Sequence, residues 1–318
     1  MNNMNNMNGV IVIDKPAGFT SFDVIAVARR LTGQRKMGHT GTLDPNATGV
    51  LPVLLGTAAK AQDLILNSDK AYTARFRLGL TTDTLDIWGQ GKSQNESSVS
   101  RESIEELLPR FKGEIEQVPP MFSAVQKNGQ RLYDLARKGI EVEREPRRVT
   151  VYSLSLTAFD EAEQCGTLEI KCSKGTYVRT IIDDLGAALG CGAVMTALRR
   201  TSACGYDLSD CVTLEKLKEL CESGEAERFI RPTESLFQSL DSVKVSEAQA
   251  KRFKNGAPLD ISRTALRNRS LSDGTVIRVK DPSNGFLGLG TVSNGEIKIY
   301  KLFARSAEPT IAPRKRDA

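Results

Sequence analysis

The sequence predicts an α+β fold in which a large mixed domain precedes a small β domain. Over most of the chain, segments that alternate like strands are interspersed with segments whose apolar residues recur at helical spacing. From about residue 240 the composition changes, and short apolar runs follow one another between glycines: TVIRVKD, GFLGLGTV and EIKIYKLF. The 318 residues allow one large domain plus a small one, or two domains of ordinary size. Periodicity alone fits several α+β folds.

The N-terminal part predicts a strand, a turn and a capped helix, followed by a loop. Residues 9–13 (GVIVI) form an apolar run, and Thr20 and Ser21 precede a segment whose apolar residues share one helical face. Residues 38–56 then predict a glycine-punctuated loop, GHTGTLDPNATG, that leads into the apolar stretch VLPVLLG. Loops that precede buried elements often hold reactive groups.

The middle of the chain predicts strands at 72–80, in VTVYSLSL and in TLEIKCSKGTYVRTI, with helices at 101–111 and 181–189. A long polar loop, TTDTLDIWGQGKSQNESS, follows the first of these strands. The segment 119–149 begins with two prolines and is rich in basic residues, which predicts a protruding arm. A helix over 247–253 introduces the small β domain.

The distribution of basic residues along the sequence says more about binding of nucleic acid than the net charge does. A net charge of +5 and a pI near 8.8 are mild, and each basic cluster by itself is consistent with a solvated face. The basic residues cluster at Arg29, Arg30, Arg35, Lys36, Arg144, Arg147, Arg148, Arg199, Arg200, Arg314, Lys315 and Arg316. If Arg147, Arg148, Arg199 and Arg200 contact an RNA backbone, affinity should fall with salt.

Several classes of protein are disfavoured by composition. Six cysteines without a C-x-x-C pair, together with a single histidine, predict no zinc or other metal site and a reducing cytoplasm. No apolar run approaches the length of a membrane span. Residues 1–8 do not resemble a signal peptide, so we expect a disordered tail there and a second, basic one at 306–318.

The local pattern leaves two interpretations open for Asp44. Between Leu43 and Pro45 in a Gly/Thr-rich turn, such an Asp is most often a turn-forming side chain, and the pattern alone favours that reading. The alternative is an exposed carboxylate held as a nucleophile or base. A Ser-His-Asp or Cys-His arrangement would have to use His39, and the loop lacks the G-x-x-x-x-G-K-[ST] order of a phosphate loop.

Four blocks of sequence resemble the TruB pseudouridine synthases and occur in the order expected for that family. They are VIDKPAGFTS (12–21), GHTGTLDPNATGVLPVLLG (38–56), DKAYTARFRLGLTTDTLD (69–86) and SKGTYVRTIIDDLG (173–186). PPMFSAVQKNGQRLYDLARKG resembles the family's RNA-gripping insertion. The resemblance covers residues 9–305, and Asn46 and Trp88 depart from the family pattern beside the motifs.

The resemblance implies a domain plan. Residues 9–237 would form a pseudouridine synthase catalytic domain, built on a central mixed, largely antiparallel sheet with flanking helices, with the RNA-gripping insertion near 119–149. Residues 240–305 would form a PUA-like β-barrel that binds RNA.

The resemblance also implies catalytic roles for three residues: Asp44 as nucleophile, Tyr72 stacking on the target base, and Arg179 pairing with Asp44. Tyr72 is in addition a candidate for moving a proton. A carboxylate enclosed without a partner would become protonated, and a guanidinium keeps it charged and oriented. Tyr177, two residues before Arg179, is expected on the same face of a strand.

Five residues are implied in substrate binding besides Tyr72. Tyr177 and Leu198 would form the wall of an apolar pocket for a flipped-out pyrimidine. Contact of the base with this wall would partly replace the stacking that the base loses when it leaves the RNA. His39 would help to receive the T-loop arm, and Lys15 would steady the active-site loop through backbone carbonyls. Asp86 either contacts RNA or caps its turn, and the sequence leaves both open.

The function implied is isomerisation of uridine to pseudouridine at position 55, in the T-loop arm of tRNA, by a cytoplasmic monomer without metal or cofactor. The N1–C1′ bond breaks, the uracil rotates and C5 is joined to C1′; whether Asp44 attacks C6 or C1′ stays open. The tRNA would be held at the T-loop arm, the elbow and the acceptor end, and a tRNA-folding chaperone role could accompany catalysis.

Two alternatives belong to other classes. The first is a non-catalytic RNA-binding or folding protein on the same fold, against which the presence of Asp44, Tyr72 and Arg179 argues. The second is a phosphotransferase with an aspartate nucleophile, which the sequence L-D-P-N does not favour because it lacks a second acid for magnesium.

Overall fold

A computed structural model describes residues 7–65 and 69–304 of the chain. The remainder of the two predicted tails lies outside these ranges, and so does the basic cluster at 314–316. Two residues of the predicted N-terminal tail are packed instead: Met7 is buried, and the Asn8 side chain accepts a hydrogen bond from the Thr57 N–H at 2.8 Å. Within the described ranges, every helix is too short or too polar to cross a bilayer.

The larger unit contains strands and helices in mixed order. Its strands are β1 (Gly9–Lys15), β2 (Met37–His39), β3 (Thr48–Leu55), β4 (Lys70–Leu78), β5 (Leu80–Thr82), β6 (Gly91–Gln94), β7 (Gly113–Gln117), β8 (Gln126–Lys127), β9 (Gln130–Arg131), β10 (Arg147–Asp160), β11 (Cys165–Cys172), β12 (Ala193–Ala203) and β13 (Tyr206–Asp207). Its helices are α1 (Ser21–Thr32), α2 (Arg101–Leu107), α3 (Leu132–Ala136), α4 (Val178–Ala188) and α5 (Leu214–Ser223). The smaller unit contains β14 (Ser242–Lys244), α6 (Glu247–Lys254), β15 (Leu259–Asp260), β16 (Val276–Lys280), β17 (Phe286–Ser293) and β18 (Glu296–Leu302).

The larger unit is organised on a nine-stranded sheet with the order β1-β3-β12-β4-β11-β10-β7, to which β2 adds on β3 and β13 on β12. The β3–β12 pair is parallel and the other named pairs along the sheet are antiparallel. Alternation in β4 buries Tyr72, Ala74 and Phe76 on one face, where they pack with residues of α4. The predicted mixed, largely antiparallel sheet is confirmed.

Helix α1 begins in a capping box, and its first turn is hydrogen-bonded to the loop that contains Asp44. The Thr20 side chain accepts from the Asp23 N–H while the Asp23 carboxylate accepts from the Thr20 N–H, and Gly33 ends the helix in a left-handed conformation. Ser21, in the first turn, accepts a hydrogen bond from the Leu43 N–H at 2.9 Å. The start of α1 is therefore tied to the residue before Asp44.

Helix α4 begins earlier than the sequence predicts, and this changes the position of Tyr177. Strand β11 ends at Cys172, and a turn containing Gly175 with φ of +84° leads to Val178, the first helical residue. Tyr177 occupies the N-cap position and Arg179 the first turn of the helix. The expectation that both lie on one strand face is wrong, because the glycine turn ends the strand before either residue.

The predicted arm forms a small substructure between β7 and β10. It consists of the β8–β9 hairpin and α3 around its own apolar cluster of Met121, Leu132 and Leu135. Its basic residues other than Arg144 are exposed, and Arg131 and Arg137 both face the ring of Tyr133.

The predicted C-terminal β domain is confirmed, but its sheet is open rather than a closed barrel. The five strands run in the order β14-β16-β17-β18-β15, so that among the described residues β14 and β15 remain as edges. Phe237, in the segment before this domain, packs with Phe286 and Phe303. Glu234 in the same segment contacts Arg278 at 2.9 Å and Lys280 at 3.1 Å. The smaller unit is therefore docked on the larger one.

Candidate active site

A pocket of about 190 Å³ opens where the loop after β2, strand β4, the N-terminus of α4 and strand β12 meet. Five of the eight predicted site residues line it: Asp44, Tyr72, Tyr177, Arg179 and Leu198. The other three, Lys15, His39 and Asp86, lie around it. The pocket is smaller than the roughly 300–1,000 Å³ of drug-sized ligand sites, which suits a single planar base.

Arg179 is the centre of the site. Its Nε lies 3.1 Å from Asp44 Oδ2 and its Nη2 donates to Asp44 Oδ1 at 3.4 Å. Nη1 donates to the Thr84 carbonyl at 2.8 Å and Nη2 to the Phe122 carbonyl, in the arm, at 2.9 Å. The Nε–H is not aligned for a hydrogen bond, so its contact with Asp44 is an ion pair. The Arg179 guanidinium therefore contacts three partners, the Thr84 carbonyl, the Phe122 carbonyl and the Asp44 carboxylate. The two carbonyls hold it in place beside Asp44.

Burial and Arg179 act in opposite directions on Asp44. Loss of hydration raises the pKa of the Asp44 carboxyl above its usual value, and the Arg179 guanidinium opposes that rise. The charge of Asp86 adds to the rise, and that of Lys15 opposes it. Because 39% of the Asp44 side-chain surface is still accessible, solvent weakens all these interactions. Arg179 nevertheless favours the ionised form.

The backbone on both sides of Asp44 is held in place. Lys15 is fully buried, and its ammonium donates to three carbonyls, those of Pro16, Phe19 and Pro45. Burial lowers the pKa of Lys15 to about 8. With Leu43 tied to Ser21 and Pro45 tied to Lys15, Asp44 lies between two anchored neighbours. This geometry supports the loop-steadying role expected for Lys15.

Tyr72 lies on β4 with its side chain against the pocket. Burial raises the pKa of its phenol to about 12, with the nearby Arg200 guanidinium opposing the rise. The hydroxyl is therefore protonated at neutral pH, and it can donate a hydrogen bond there. Arg200 lies directly opposite Tyr72 in the β4–β12 pair.

Arg200 cannot contact RNA as the basic cluster suggested. It is fully buried, and it donates from Nε to the Val50 carbonyl at 2.7 Å and from Nη2 to the Gly41 carbonyl at 3.1 Å. Its neighbour Arg199 is partly exposed and pairs with Asp14 at 2.7 Å. Successive residues of a strand face opposite ways, so the two arginines serve different purposes. Arg200 fastens the active-site loop to the sheet.

Asp86 caps its turn and also approaches Arg179. Its Oδ1 accepts from the Thr84 hydroxyl at 2.6 Å and from the Trp88 N–H at 3.2 Å. Its Oδ2 lies 3.8 Å from Arg179 Nη1. The turn therefore contacts Arg179 twice, through the Thr84 carbonyl and through the Asp86 carboxylate. The sequence did not predict the contact between Asp86 and Arg179.

His39 lies on β2 outside the pocket. It is buried, its ring packs edge-to-face on Phe22 at 5.6 Å, and its Nδ1 has no partner among the described residues. Burial and the charge of Arg200 lower the pKa of His39, so the imidazole is neutral near pH 7. Phe22 itself is largely exposed.

Two residues at the site were missed by the sequence analysis. Gln117, at the end of β7, donates to the Tyr177 carbonyl at 3.1 Å and accepts from the Tyr177 N–H at 2.7 Å. Nothing in its local sequence marks this role. Lys70 lines the pocket, and a signal for it existed, because it precedes Tyr72 by two residues in a strand and so shares its face.

Three family profiles together match most of the chain. The profile described as TruB family pseudouridylate synthase (N terminal domain) matches residues 29–178. The profile of the tRNA pseudouridylate synthase B C-terminal domain matches residues 179–238, and that of a PUA-like domain matches residues 243–304.

Individual proteins are similar over nearly their whole length. tRNA pseudouridine synthase B of Dechloromonas aromatica (strain RCB) is 45% identical over 88% of this chain and 93% of its own. The protein with the same description from Lactobacillus delbrueckii subsp. bulgaricus is 48% identical over 82% of this chain and 90% of its own. A solved chain of a Cbf5-Nop10-Gar1 complex superposes with a TM-score of 0.73 at 25% identity, covering 95% of this chain and 86% of that one.

Proposed function

The chain belongs to the TruB family of pseudouridine synthases, and on this premise we propose that it isomerises uridine 55 in the T-loop arm of tRNA with Asp44 as nucleophile. Its similarity to tRNA pseudouridine synthase B makes it a tRNA pseudouridine synthase, an isomerase. The target position, the nucleophile and base flipping are our proposal. One observation carries it: the Asp44 carboxylate meets the clamped guanidinium of Arg179 inside a pocket for one base.

In the proposed reaction the bond between N1 and C1′ breaks, the uracil turns within the pocket and C5 forms the new bond to C1′. The proton on C5 leaves to solvent and N1 ends protonated, so atoms and charge balance without an oxidant or an energy source. Asp44 begins this sequence either at C6 of the ring or at C1′ of the ribose. In both routes the carboxylate must be ionised, and Arg179 favours that state.

The target base must leave its stack to reach Asp44. Extrusion costs about a few kcal/mol, and the ring of Tyr72 with Tyr177 and Leu198 supplies surface for stacking and apolar contact in return. The protonated hydroxyl of Tyr72 is a hydrogen-bond donor to the rotating uracil. Gln117 fixes the backbone of Tyr177, which holds this side of the pocket in position.

We place the rest of the tRNA on the surface around the pocket. The exposed Arg147 and Arg148 at the base of the arm offer charge for the RNA backbone, and residues 240–305 are proposed to bind the acceptor end. Residues 9–237 are proposed as the catalytic domain, His39 as part of the T-loop contact, and Asp86 as an RNA contact in addition to its place in the turn. We further propose a cytoplasmic monomer with accessory tRNA-folding activity.

Tritium release from C5-labelled uridine in an unmodified tRNA transcript tests the proposal. The wild type and an Asp63→Asn control, altered at an exposed position, should release tritium at the same rate, and Asp44→Asn should release none. Mapping the product should place pseudouridine at position 55. Release by Asp44→Asn at the wild-type rate would eliminate Asp44 as nucleophile. Binding without release by the wild type would favour the non-catalytic alternative.

A further inference from the structure

Lys70 presents a charge to the pocket that the protein does not neutralise. It begins β4, two residues before Tyr72, so both side chains extend from the same face of the strand and both line the pocket. Within residues 7–65 and 69–304, no hydrogen-bond acceptor or carboxylate is in contact with its ammonium. Half-buried lysines normally have such a partner.

The groups around this ammonium increase the imbalance. The charged groups that act on its pKa are Arg200 and Lys174, and the thiols of Cys172 and Cys204 act on it as well. Burial raises the pKa of both thiols, which keeps them neutral. Burial and the Arg200 guanidinium together hold the pKa of Lys70 below its usual value. Among the described residues, no carboxylate therefore offsets these effects on Lys70.

The Lys70 ammonium and the Arg200 guanidinium lie close together, on either side of Gly41. A Cβ on Gly41 would lie 3.4 Å from the Lys70 Nζ and 3.8 Å from the Arg200 Nη1, so one small residue separates the two cations. Arg200 is immobilised by its bonds to two carbonyls, and its Nη1 is buried without a partner among the described residues. Two facing cations are unfavourable in the free protein, and such an arrangement is typical of a functional site.

We propose that Lys70 is a substrate-positioning residue that binds a backbone phosphate of the RNA beside the nucleotide held in the pocket. This inference rests on the proposed function, because it takes the pocket as the site of the target uridine. An extruded nucleotide brings its own phosphates towards the pocket, and an ammonium binds phosphate as a point charge. Uracil itself is neutral and does not compensate two cations. Arg200 adds positive potential from behind without touching the ligand.

The salt dependence of binding to a T-arm stem-loop RNA tests the contact. Lys70→Met should lower affinity about tenfold, as for loss of one charged hydrogen bond, and should reduce the slope of log K against log salt by about 0.7. Lys171→Met is the matched control, because Lys171 is exposed at the same end of the sheet and pairs with Ala71, on the opposite face from Lys70. An unchanged slope for Lys70→Met would overturn the proposal.

Neutral methylphosphonates in the RNA locate the contact. Two RNAs are compared, one with the substitution at the phosphate 5′ of the target uridine and one with it at the 3′ phosphate. One of the two should bind the wild-type protein more weakly than unmodified RNA does. Lys70→Met should lose nothing further at that position, because its partner is already absent. Equal losses in both proteins at every position would mean that Lys70 does not bind a phosphate.

Thermal unfolding separates binding from a purely structural role. Lys70→Met keeps the length of the side chain and removes one of two facing cations, so the free protein should melt at a higher temperature than the wild type. A lower Tm would instead indicate a structural lysine and would overturn the proposal. The proposed function is tested separately: the control Lys171→Met should release tritium at about the wild-type rate, whereas no release by the wild type would refute the proposed function alone.

Discussion

Two charge networks, one at the pocket and one at the junction between the units, differ in how completely they are neutralised. At the junction, Arg278 and Lys280 share Glu234, and Arg278 also donates to the Leu240 carbonyl and the Gln238 side chain. All three charged side chains there are 13–15% exposed.

At the pocket, Arg179 is shared by two carboxylates, and one of them, Asp44, is 39% exposed. Lys70 nearby has no carboxylate in contact among the described residues. The charged side chains at the junction pair with one another, whereas Lys70 at the pocket forms no ion pair with the described residues. The junction network joins the two units, whereas the pocket network is the one that we propose for catalysis, and three substitutions test this difference.

The largest expected effect is on catalysis, from Arg179→Met. Without the guanidinium, only Lys15 opposes the effects of burial and of the Asp86 charge on the Asp44 carboxyl, so its pKa rises further and less of it is ionised at neutral pH. We expect single-turnover tritium release to fall about 100- to 1,000-fold. The acid limb of the pH–rate profile should move to higher pH, because the ionised form now appears only at higher pH.

Arg199→Met is the control for this prediction, since Arg199 pairs with Asp14 away from the pocket. It should leave the acid limb where it is in the wild type. If Arg179→Met lowers the rate without moving the limb, then the guanidinium positions Asp44 without controlling its ionisation.

The next effect is on stability, from Glu234→Gln. This change leaves Arg278 and Lys280 largely buried without a counter-charge, which should lower the free energy of unfolding by about 3 kcal/mol. Glu225→Gln, which breaks the exposed pair with Arg228, should cost about 0–1 kcal/mol. Denaturant titration measures both. Tritium release well below the melting temperature should be unchanged, and a large loss of rate would show that the junction also serves catalysis.

The smallest effect is expected from Gln117→Leu. The Tyr177 N–H and carbonyl lose their partners, at a cost of about 1–3 kcal/mol, and the wall of the pocket is less firmly held. We expect a higher KM and a modest loss of kcat in tritium release. Gln117→Glu, which keeps the acceptor for the Tyr177 N–H, should recover part of the loss. Identical kinetics for wild type and Gln117→Leu would contradict the positioning role.

Sequence patterns predicted the elements whose signal is local. Alternation in β4, the capping residues of α1 and the glycine-spaced strands of the small domain each depend on neighbouring residues, and the structure contains all of them. The mixed central sheet could be predicted only from the resemblance to the TruB family, because the order of strands in a sheet depends on contacts between residues distant in sequence. The start of α4 was misplaced because a turn around Gly175 has no hydrophobic period.

The candidate site was predictable where motif and geometry coincide, as for Asp44, Tyr72 and Arg179, which meet in one pocket. It was not predictable where a role depends on a distant partner. Gln117 finds the Tyr177 backbone 60 positions further on, and a lone Gln at a strand end carries no sign of it. Arg200 was assigned with Arg199 because adjacent charges suggest one patch, although alternation in a strand separates them.

The hydrogen bond from Arg179 to the Phe122 carbonyl has a mechanical consequence. The arm that contains Phe122 and the guanidinium that orients Asp44 cannot move independently, since a shift of the arm by much more than half an ångström would break a bond of 2.9 Å. If a poorly bound RNA displaced the arm, the hydrogen bond between Phe122 and Arg179 would break. Return of the arm to its position would restore that bond. In the proposed reaction, the position of the arm on the RNA and the orientation of the Asp44 carboxylate are therefore coupled.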